Sequence, residues 1–327
     1  MDFGVVLSAI LSGAFIASVL RISAPLILPA LGGLLSDLAG SINIALEGTM
    51  LVAAFTGVVV SAYTQSWVLG ILAGLIVGTL FSLILAFAHL YLGTDIILAG
   101  IAMNIMAQGG TIFLLYILTG DKGNSSTLAS LKVPDVVIPG LHNVPVLGDI
   151  LSGHPIFVYL AFLFTWLVSV LLYHTRLGTH LRAVGENSEA AASVGINVNR
   201  IKVIAIAMSG FLAAMGGLNL SMAYLSLFQN AMVAGRGFIA LAAVYLGGRK
   251  PWGTLLAAII FGFAQALAIN LGSLKFPPQL VQTIPYVTTI LALVFYNLRQ
   301  AAQARERARK FQERHMAEMA AARAGQN

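Results

Sequence analysis

The chain has 327 residues, of which 58% are hydrophobic and 9% are charged, whereas soluble domains carry about 25% charged residues. This composition excludes a soluble globular domain. The net charge of +6 does not indicate a nucleic-acid partner, because the basic residues form no stretch with interleaved aromatic side chains. The chain has no cysteine, which excludes disulfide bonds and thiolate metal sites.

Uncharged apolar runs of about 18 residues or more recur along the chain, and each can cross a hydrocarbon core of about 30 Å as a helix. They lack the strict alternation of outer-membrane barrel strands. The sequence therefore predicts an all-α integral membrane protein with about ten transmembrane or re-entrant helices and both termini in the cytoplasm. The predicted crossings are residues 3–20, 26–39, 46–63, 67–91, 97–118, 155–173, 203–223, 237–246, 252–270 and 280–298.

Two of these segments are short or interrupted. Residues 26–39 contain Pro29, Gly32 and Asp37, and the apolar run after Arg236 is too short for a full crossing. Irregular backbone inside a membrane is tolerated only where protein or a cavity shields it. Both segments are therefore predicted to be broken or re-entrant helices.

Basic residues are concentrated at three places, namely residues 175–202, the Arg249–Lys250 turn and the carboxy-terminal tail. The excess of Lys and Arg in cytoplasmic loops predicts that all three lie in the cytoplasm. The predicted organisation is a membrane domain at residues 1–298 with a cytoplasmic loop at 176–202 and an extracytoplasmic loop at 121–154, followed by a cytoplasmic basic helical tail at 299–327.

The extracytoplasmic loop at residues 121–154 is rich in Gly, Ser, Asn and Pro. It is longer than most connections between secondary-structure elements, and long loops are often functional. Two interpretations remain open: the loop contacts a protein that delivers a substrate, or it is a plain surface loop.

The cytoplasmic loop contains a short predicted helix at residues 188–195. Asn187 or Ser188 can cap its start, Glu189 favours the positive amino-terminal end, and Gly195 can end it. A short capped helix parallel to the membrane fits a groove on a soluble partner. The alternative is an ordinary loop between two membrane helices.

Four stretches carry a family resemblance, namely HLRAVGENSEAAASVGINVNRIK followed by AIAMSGFLAAMGG, SINIALEGTMLVAAFTG, TDIILAGIAMNIMAQGG and GRGFIALAAVYLGGRKPWGTLLAAIIFG. They resemble permease subunits of bacterial ABC importers for branched-chain amino acids, simple sugars and nucleosides. The combination of the second and third stretches is most similar to the nucleoside and simple-sugar branch. Within it, the chain looks like one of two paralogous permeases that pair as a heterodimer.

The resemblance implies a protein of the bacterial inner (plasma) membrane, surrounded by lipid, without catalytic residues or a cofactor. Its partners would be an ABC ATPase subunit, a paralogous permease and an extracytoplasmic substrate-binding protein. No G-x-x-x-x-G-K-[ST] phosphate loop occurs in the chain, so another chain must bind the ATP. By analogy, the residues that dock on the ATPase are Arg182, Gly185, Glu186, Asn187, Glu189, Ala190, Ala191 and Gly195. Arg182 and Glu186, four residues apart, are expected to orient the short helix.

Polar side chains within apolar segments are the candidates for a substrate path. Neutral amides donate and accept hydrogen bonds, which suits a polar uncharged solute such as a nucleoside or a sugar, and an aromatic ring can stack on a base. The candidate path residues are Asn43, Glu47, Asn104, Gln108, Phe228 and Gln265. The alternatives are that the amides join helices, that Phe228 packs in the core and that Glu47 lies at the membrane interface. Arg236 is expected to face a cavity or a partner, or to snorkel.

Two other classes of protein are alternatives to an importer subunit. A stand-alone secondary transporter or channel for a small polar solute needs buried ionisable groups for ion coupling, and only Glu47 and Asp95 qualify. An intramembrane enzyme would need a Ser/His pair, an H-E-x-x-H motif or paired aspartates, and none occurs. No spacing of His, Asp and Glu predicts a metal site.

Overall fold

A computed structural model describes residues 13–137, 152–273 and 294 of the chain. The regular structure of these residues is helical apart from one antiparallel pair of two-residue strands, β1 (Asp135–Val136) and β2 (His154–Pro155), and turns and loops connect the elements. The helices are α1 (Gly13–Leu38), α2 (Leu46–Thr64), α3 (Trp67–Tyr91), α4 (Ile96–Thr119), α5 (Ile156–His174), α6 (Arg176–Glu186), α7 (Ser188–Ser193), α8 (Val198–Leu218), α9 (Arg236–Leu246) and α10 (Pro251–Ser273), with a π-helical turn (Asn219–Tyr224) after α8. Among the described residues, 7 helices are long and apolar enough to cross a membrane.

These elements confirm the predicted all-α membrane fold. The short helix α9 lies where an incomplete crossing was predicted. The predicted crossing at residues 280–298 and the tail at 299–327 lie outside the described residues, apart from residue 294. The count of about ten crossings and the cytoplasmic location of both termini therefore stay predictions.

The prediction of two separate segments within residues 3–39 is wrong. Residues 13–38 form one helix, α1, with Pro25 and Pro29 in its interior, while residues 1–12 lie outside the described part. Helices α8, α9 and α10 pack around α1, and such neighbours let a membrane helix keep an interior proline. Gly32 permits a close approach of α8, because a Cβ there would lie 2.6 Å from the Ser209 carbonyl oxygen.

Helix α1 runs from the loop predicted outside to the loop predicted in the cytoplasm. Near its start, Arg21 Nε donates to His154 Nδ1 at 3.0 Å. At its end, the Leu38 carbonyl lies against Gly185 of α6. The start of α1 therefore lies at the end of the protein opposite α6, while the location of the amino terminus stays a prediction.

Small residues allow α2, α3 and α8 to pack closely. Gly70, Gly74 and Gly78 recur every four residues along α3 and are buried. A Cβ on Gly70 would lie 2.6 Å from the Gly57 carbonyl oxygen, and one on Gly78 would lie 2.7 Å from the Ala214 Cβ. This spacing of small residues is typical of helix contacts in membranes.

The described part of the predicted outer loop, residues 121–137, is tied to the helical body. The Ser125 N–H donates to the Phe228 carbonyl, and the Val133 N–H donates to the Met222 carbonyl, each at 2.9 Å. These bonds join the loop to the π-helical turn and to the stretch that follows it. The loop therefore forms part of the surface at this end of the protein.

Candidate functional site

The short helix predicted at residues 188–195 is present as α7 (Ser188–Ser193), and its cytoplasmic location stays a prediction. Asn187 Oδ1 accepts hydrogen bonds from the Glu189 and Ala190 N–H groups, each at 3.0 Å. Gly195 follows with a φ of +85°, the left-handed backbone that glycine favours after a helix. Local capping chemistry therefore fixes both ends of this helix.

A second helix, α6, precedes α7 and supports it. Thr175 Oγ1 accepts the Gly178 N–H at 3.2 Å and caps its start, while Leu181 and Val184 are buried against the body. The expected pairing of Arg182 with Glu186 is not formed. Instead, the Arg182 guanidinium lies over the Tyr173 ring, 5.4 Å from its centroid.

Most residues predicted to dock on an ATPase lie on the surface of α6 and α7. The exposed ones are Arg182, Gly185, Glu186, Asn187, Glu189, Ala190 and Gly195, whereas Ala191 is buried and anchors α7. The sequence reasoning missed Val194, which is 74% exposed. An apolar residue in a hydrophilic segment is the signal that would have identified it.

A cavity of about 350 Å³ lies between α2, α4 and the residues that lead into α9. Three of the predicted path residues line it together: Glu47 comes from α2, and Asn104 and Gln108 come from α4. Its lining consists of Glu47, Gly48, Leu51, Ile101, Asn104, Ile105, Gln108, Ala231, Val233, Ala234, Gly235 and Phe238. The region from Ala231 to Phe238, which the sequence reasoning did not place in a path, forms one wall.

The two cavity amides have different roles. Asn104 Oδ1 accepts the Gly48 N–H at 2.7 Å, and its Nδ2 donates to the Ile44 carbonyl at 2.9 Å. Gln108 is exposed one turn further along α4, and none of the described contacts engages its side chain. At the cavity, Gln108 therefore keeps both the donor and the acceptor of its amide unpaired among the described residues.

Glu47 binds backbone at the start of α9. Its Oε1 accepts the Gly235 N–H at 2.8 Å, and its Oε2 accepts the Gly237 N–H at 2.7 Å. A carboxylate at a helix amino terminus satisfies otherwise unpaired N–H groups and complements the helix dipole. The φ of +79° at Gly235 allows the turn that presents these groups.

Arg236 closes the turn that precedes α9. Its Nη1 donates to the carbonyls of Met232 and Val233, each at 3.0 Å. It also lines a small cavity of about 60 Å³ together with Arg21, Asn219 and Tyr224. Of the open interpretations, the structure favours a side chain that faces a cavity.

The other three predicted path residues lie away from the 350 Å³ cavity. Asn43 is fully buried, and its Nδ2 donates to Ser209 Oγ at 3.0 Å and to Ser82 Oγ at 3.3 Å. Phe228 is fully buried with its ring edge-on to Phe55 at 5.2 Å. Gln265 is 9% exposed on α10.

Comparison with known proteins gives a family model described as "Branched-chain amino acid transport system / permease component", which matches residues 15–293. The guanosine ABC transporter permease protein NupQ of Bacillus subtilis (strain 168) is 36% identical over 90% of this chain and 93% of that protein. The nucleoside ABC transporter permease protein NupC of Lactococcus lactis subsp. cremoris (strain MG1363) is 34% identical over 86% of this chain and 91% of that protein. The nucleoside ABC transporter permease protein NupB of the same strain is 29% identical over 36% of this chain and 33% of that protein.

Proposed function

The chain belongs to the family of branched-chain amino acid transport system permease components, and we propose that it is the membrane-spanning subunit of an ATP-driven nucleoside importer. The observation that carries the proposal is the likeness to NupQ and NupC over most of each chain. The protein spans the membrane several times and is itself a transport subunit, not a catalytic one. Its proposed place is the bacterial plasma membrane.

The cavity lined by Glu47, Asn104 and Gln108 is the proposed substrate path. The Gln108 amide, which has no side-chain hydrogen bond among the described residues, suits the hydroxyl groups and ring nitrogens of a nucleoside, which also donate and accept hydrogen bonds. Apolar walls from Ile105 and Phe238 suit the faces of a base. A pocket with apolar walls and few polar groups is typical of small-molecule sites.

An ABC permease of this family works with an ABC ATPase and a substrate-binding protein. In this proposal, α6 and α7 form the surface that docks on the ATPase. The support is their exposure, the exposed Val194 and the basic character of the loop. ATP binding can shift the permease from one conformation to another only if the ATP-bound ATPase binds one of the two conformations more tightly than the other.

A paralogous permease is the proposed membrane partner. Helix α4 lines the cavity yet leaves apolar residues such as Ile105, Phe113 and Ile117 more than half exposed, so a second membrane protein can close the cavity there. NupC and NupB are both nucleoside permease proteins of Lactococcus lactis. The similarity to NupC covers 86% of this chain, whereas the similarity to NupB covers 36%. That pattern supports a pair of unlike permeases.

Uptake of radiolabelled solutes tests the cargo. Cells with and without the gene, and deleted cells complemented with it, are given nucleosides and simple sugars in parallel. The proposal predicts that deletion abolishes nucleoside uptake and that complementation restores it. Loss of sugar uptake alone would contradict nucleosides as cargo, and unchanged uptake of both would contradict an importer role.

A further inference from the structure

Helix α9 (Arg236–Leu246) has 11 residues, which at about 1.5 Å per residue cannot cross a membrane core. The N–H groups at its start have no partner within the helix, whereas its last carbonyls accept the N–H groups of Gly247, Gly248 and Arg249 in the turn that follows. Carboxylates from two other helices meet its two ends. The amino-terminal partner is Glu47 of α2, which accepts the N–H groups of Gly235 and Gly237.

The carboxy-terminal partner is Asp37, which lies one residue before the end of α1. Tyr245 of α9 donates its hydroxyl to Asp37 Oδ1 at 3.1 Å. Arg249, in the turn after α9, donates from Nε to Asp37 Oδ2 and from Nη2 to the Asp37 carbonyl at 3.2 Å. The Asp37 side chain is 7% exposed and the Arg249 side chain is 45% exposed, so the carboxylate is buried while the guanidinium still reaches solvent.

The end of α1 also contacts the cytoplasmic surface directly. A Cβ on Gly185 would collide with the Leu38 carbonyl, and would lie 3.1 Å from the Gly40 nitrogen. Gly185 is in the last turn of α6, two residues before Asn187, which caps α7. Close-packed contacts of this kind transmit displacement because they leave no free space.

Helix α9 therefore connects the two regions of the proposed importer. Its cytoplasmic end is bound to the part of α1 that packs on α6. Its other end is bound to Glu47, and the turn from Ala231 to Gly235 that precedes it lines the cavity. We propose that α9 is a strut that transmits movement of α6 and α7 to the cavity wall, with Asp37 and Glu47 as the positioning residues that hold its ends.

This inference rests on the proposed function, because it assigns a route for the coupling between ATPase and substrate path. A coupling route is supported only if a substitution that breaks it changes the coupling between ATP hydrolysis and uptake, and not merely the stability of the protein. Breaking the strut at either end disconnects the same two regions. The two substitutions Asp37→Asn and Glu47→Gln should therefore have the same consequence, and combining them should add little.

The test uses the whole complex, purified through a tag on this chain and reconstituted in vesicles. Nucleoside uptake and ATP hydrolysis are measured together for the wild type, Asp37→Asn, Glu47→Gln and the double variant. Each variant loses a hydrogen bond to a charged group, so we expect the uptake per ATP hydrolysed to fall about tenfold while hydrolysis continues. The matched control is Asp135→Asn, an exposed acid paired with Lys132 in the loop, which should keep the wild-type ratio.

Two outcomes would contradict the proposal that α9 transmits movement to the cavity wall. One is a wild-type ratio of uptake to hydrolysis in both single variants when assembled to normal levels. The other is a double variant whose loss equals the product of the single losses, since independent local damage multiplies. If Asp37→Asn fails to assemble, Arg249→Lys replaces it at the same end of α9, because a lysine keeps the charge but cannot make both guanidinium contacts.

A second measurement distinguishes a failure of the proposed route through α9 from a failure of the proposal that nucleosides are the cargo. The chain lacks cysteine, so Ile105→Cys and Phe238→Cys provide two spin-label sites across the cavity. ATP should change the distance between the labels in the wild-type background and leave it unchanged with Asp37→Asn. Uptake is measured separately with the unlabelled wild-type complex, because the labels occupy the proposed path. If the labelled complex shows this pattern and the unlabelled complex takes up no nucleoside, nucleosides are refuted as cargo and the route through α9 is supported, whereas an equal change in both backgrounds refutes the route.

Discussion

Asn104 accepts a hydrogen bond from the backbone N–H of Gly48 at 2.7 Å, and thereby caps α2 from a neighbouring helix. The residue before α2, Ala45, supplies no side-chain cap, although the first N–H groups of a helix need partners. The same Asn104 side chain donates to the Ile44 carbonyl at 2.9 Å. One amide on α4 therefore satisfies both kinds of backbone group at the start of α2.

Asn104→Leu is expected to destabilise the protein. It leaves the Gly48 N–H and the Ile44 carbonyl unsatisfied, at a cost of about 1–3 kcal/mol for each buried group. Thermal unfolding of the purified protein in detergent measures the effect as a lower Tm. A Tm equal to that of the wild type would contradict the capping role.

Gln108→Leu is the matched comparison on the same face of α4. Its side chain has no hydrogen bond among the described residues, so the Tm should stay close to that of the wild type. The loss of a donor and an acceptor in the cavity should lower nucleoside uptake, by about tenfold if one hydrogen bond to the solute is lost. Wild-type uptake by the Gln108→Leu variant would contradict the proposal that Gln108 lines the substrate path.

Glu186→Arg combined with Glu189→Arg should abolish coupling while leaving membrane insertion intact. Both carboxylates are exposed, so charge reversal disturbs a docking surface and not the core. Uptake and the amount of protein in the membrane are measured in the same cells, with Lys122→Glu in the loop at the other end as a control of charge reversal. Normal uptake at normal expression would defeat the assignment of α6 and α7 as the docking surface.

Gly185→Ala should reduce the amount of stable protein. The new Cβ would collide with the Leu38 carbonyl, and overpacking of this kind costs about 1–3 kcal/mol. Gly109→Ala on α4 is the control, because no described residue lies within 4 Å of a Cβ there and alanine favours a helix. Equal thermal stability of the two variants would show that α1 and α6 are not tightly packed.

Local signals in the sequence predicted much of the fold. The apolar runs predicted the long helices, and Asn187 with Gly195 predicted α7, because capping depends on residues next to each other in the chain. The same local view failed at α1. Pro29 and Gly32 suggested a break, but the surrounding α8, α9 and α10 keep the helix continuous.

The candidate site was harder to predict because its contacts join residues that are far apart in the chain. Glu47 and Asn104 were singled out as polar residues in apolar runs, yet their partners follow only from the packing of α2 with α4 and α9. Asn43 is also a polar residue in an apolar run, but its amide donates hydrogen bonds to Ser82 and Ser209 and does not line the cavity. Polarity alone does not distinguish a side chain that joins helices from one that lines a cavity.

The most direct test of an ATP-driven importer is the energy source of nucleoside uptake that depends on this chain. Uptake is compared in deleted and complemented cells after ATP depletion, and separately after collapse of the proton gradient with ATP maintained. We predict that uptake stops on ATP depletion and continues without the proton gradient. Uptake that survives ATP depletion but stops with the gradient would contradict the account and indicate a secondary transporter.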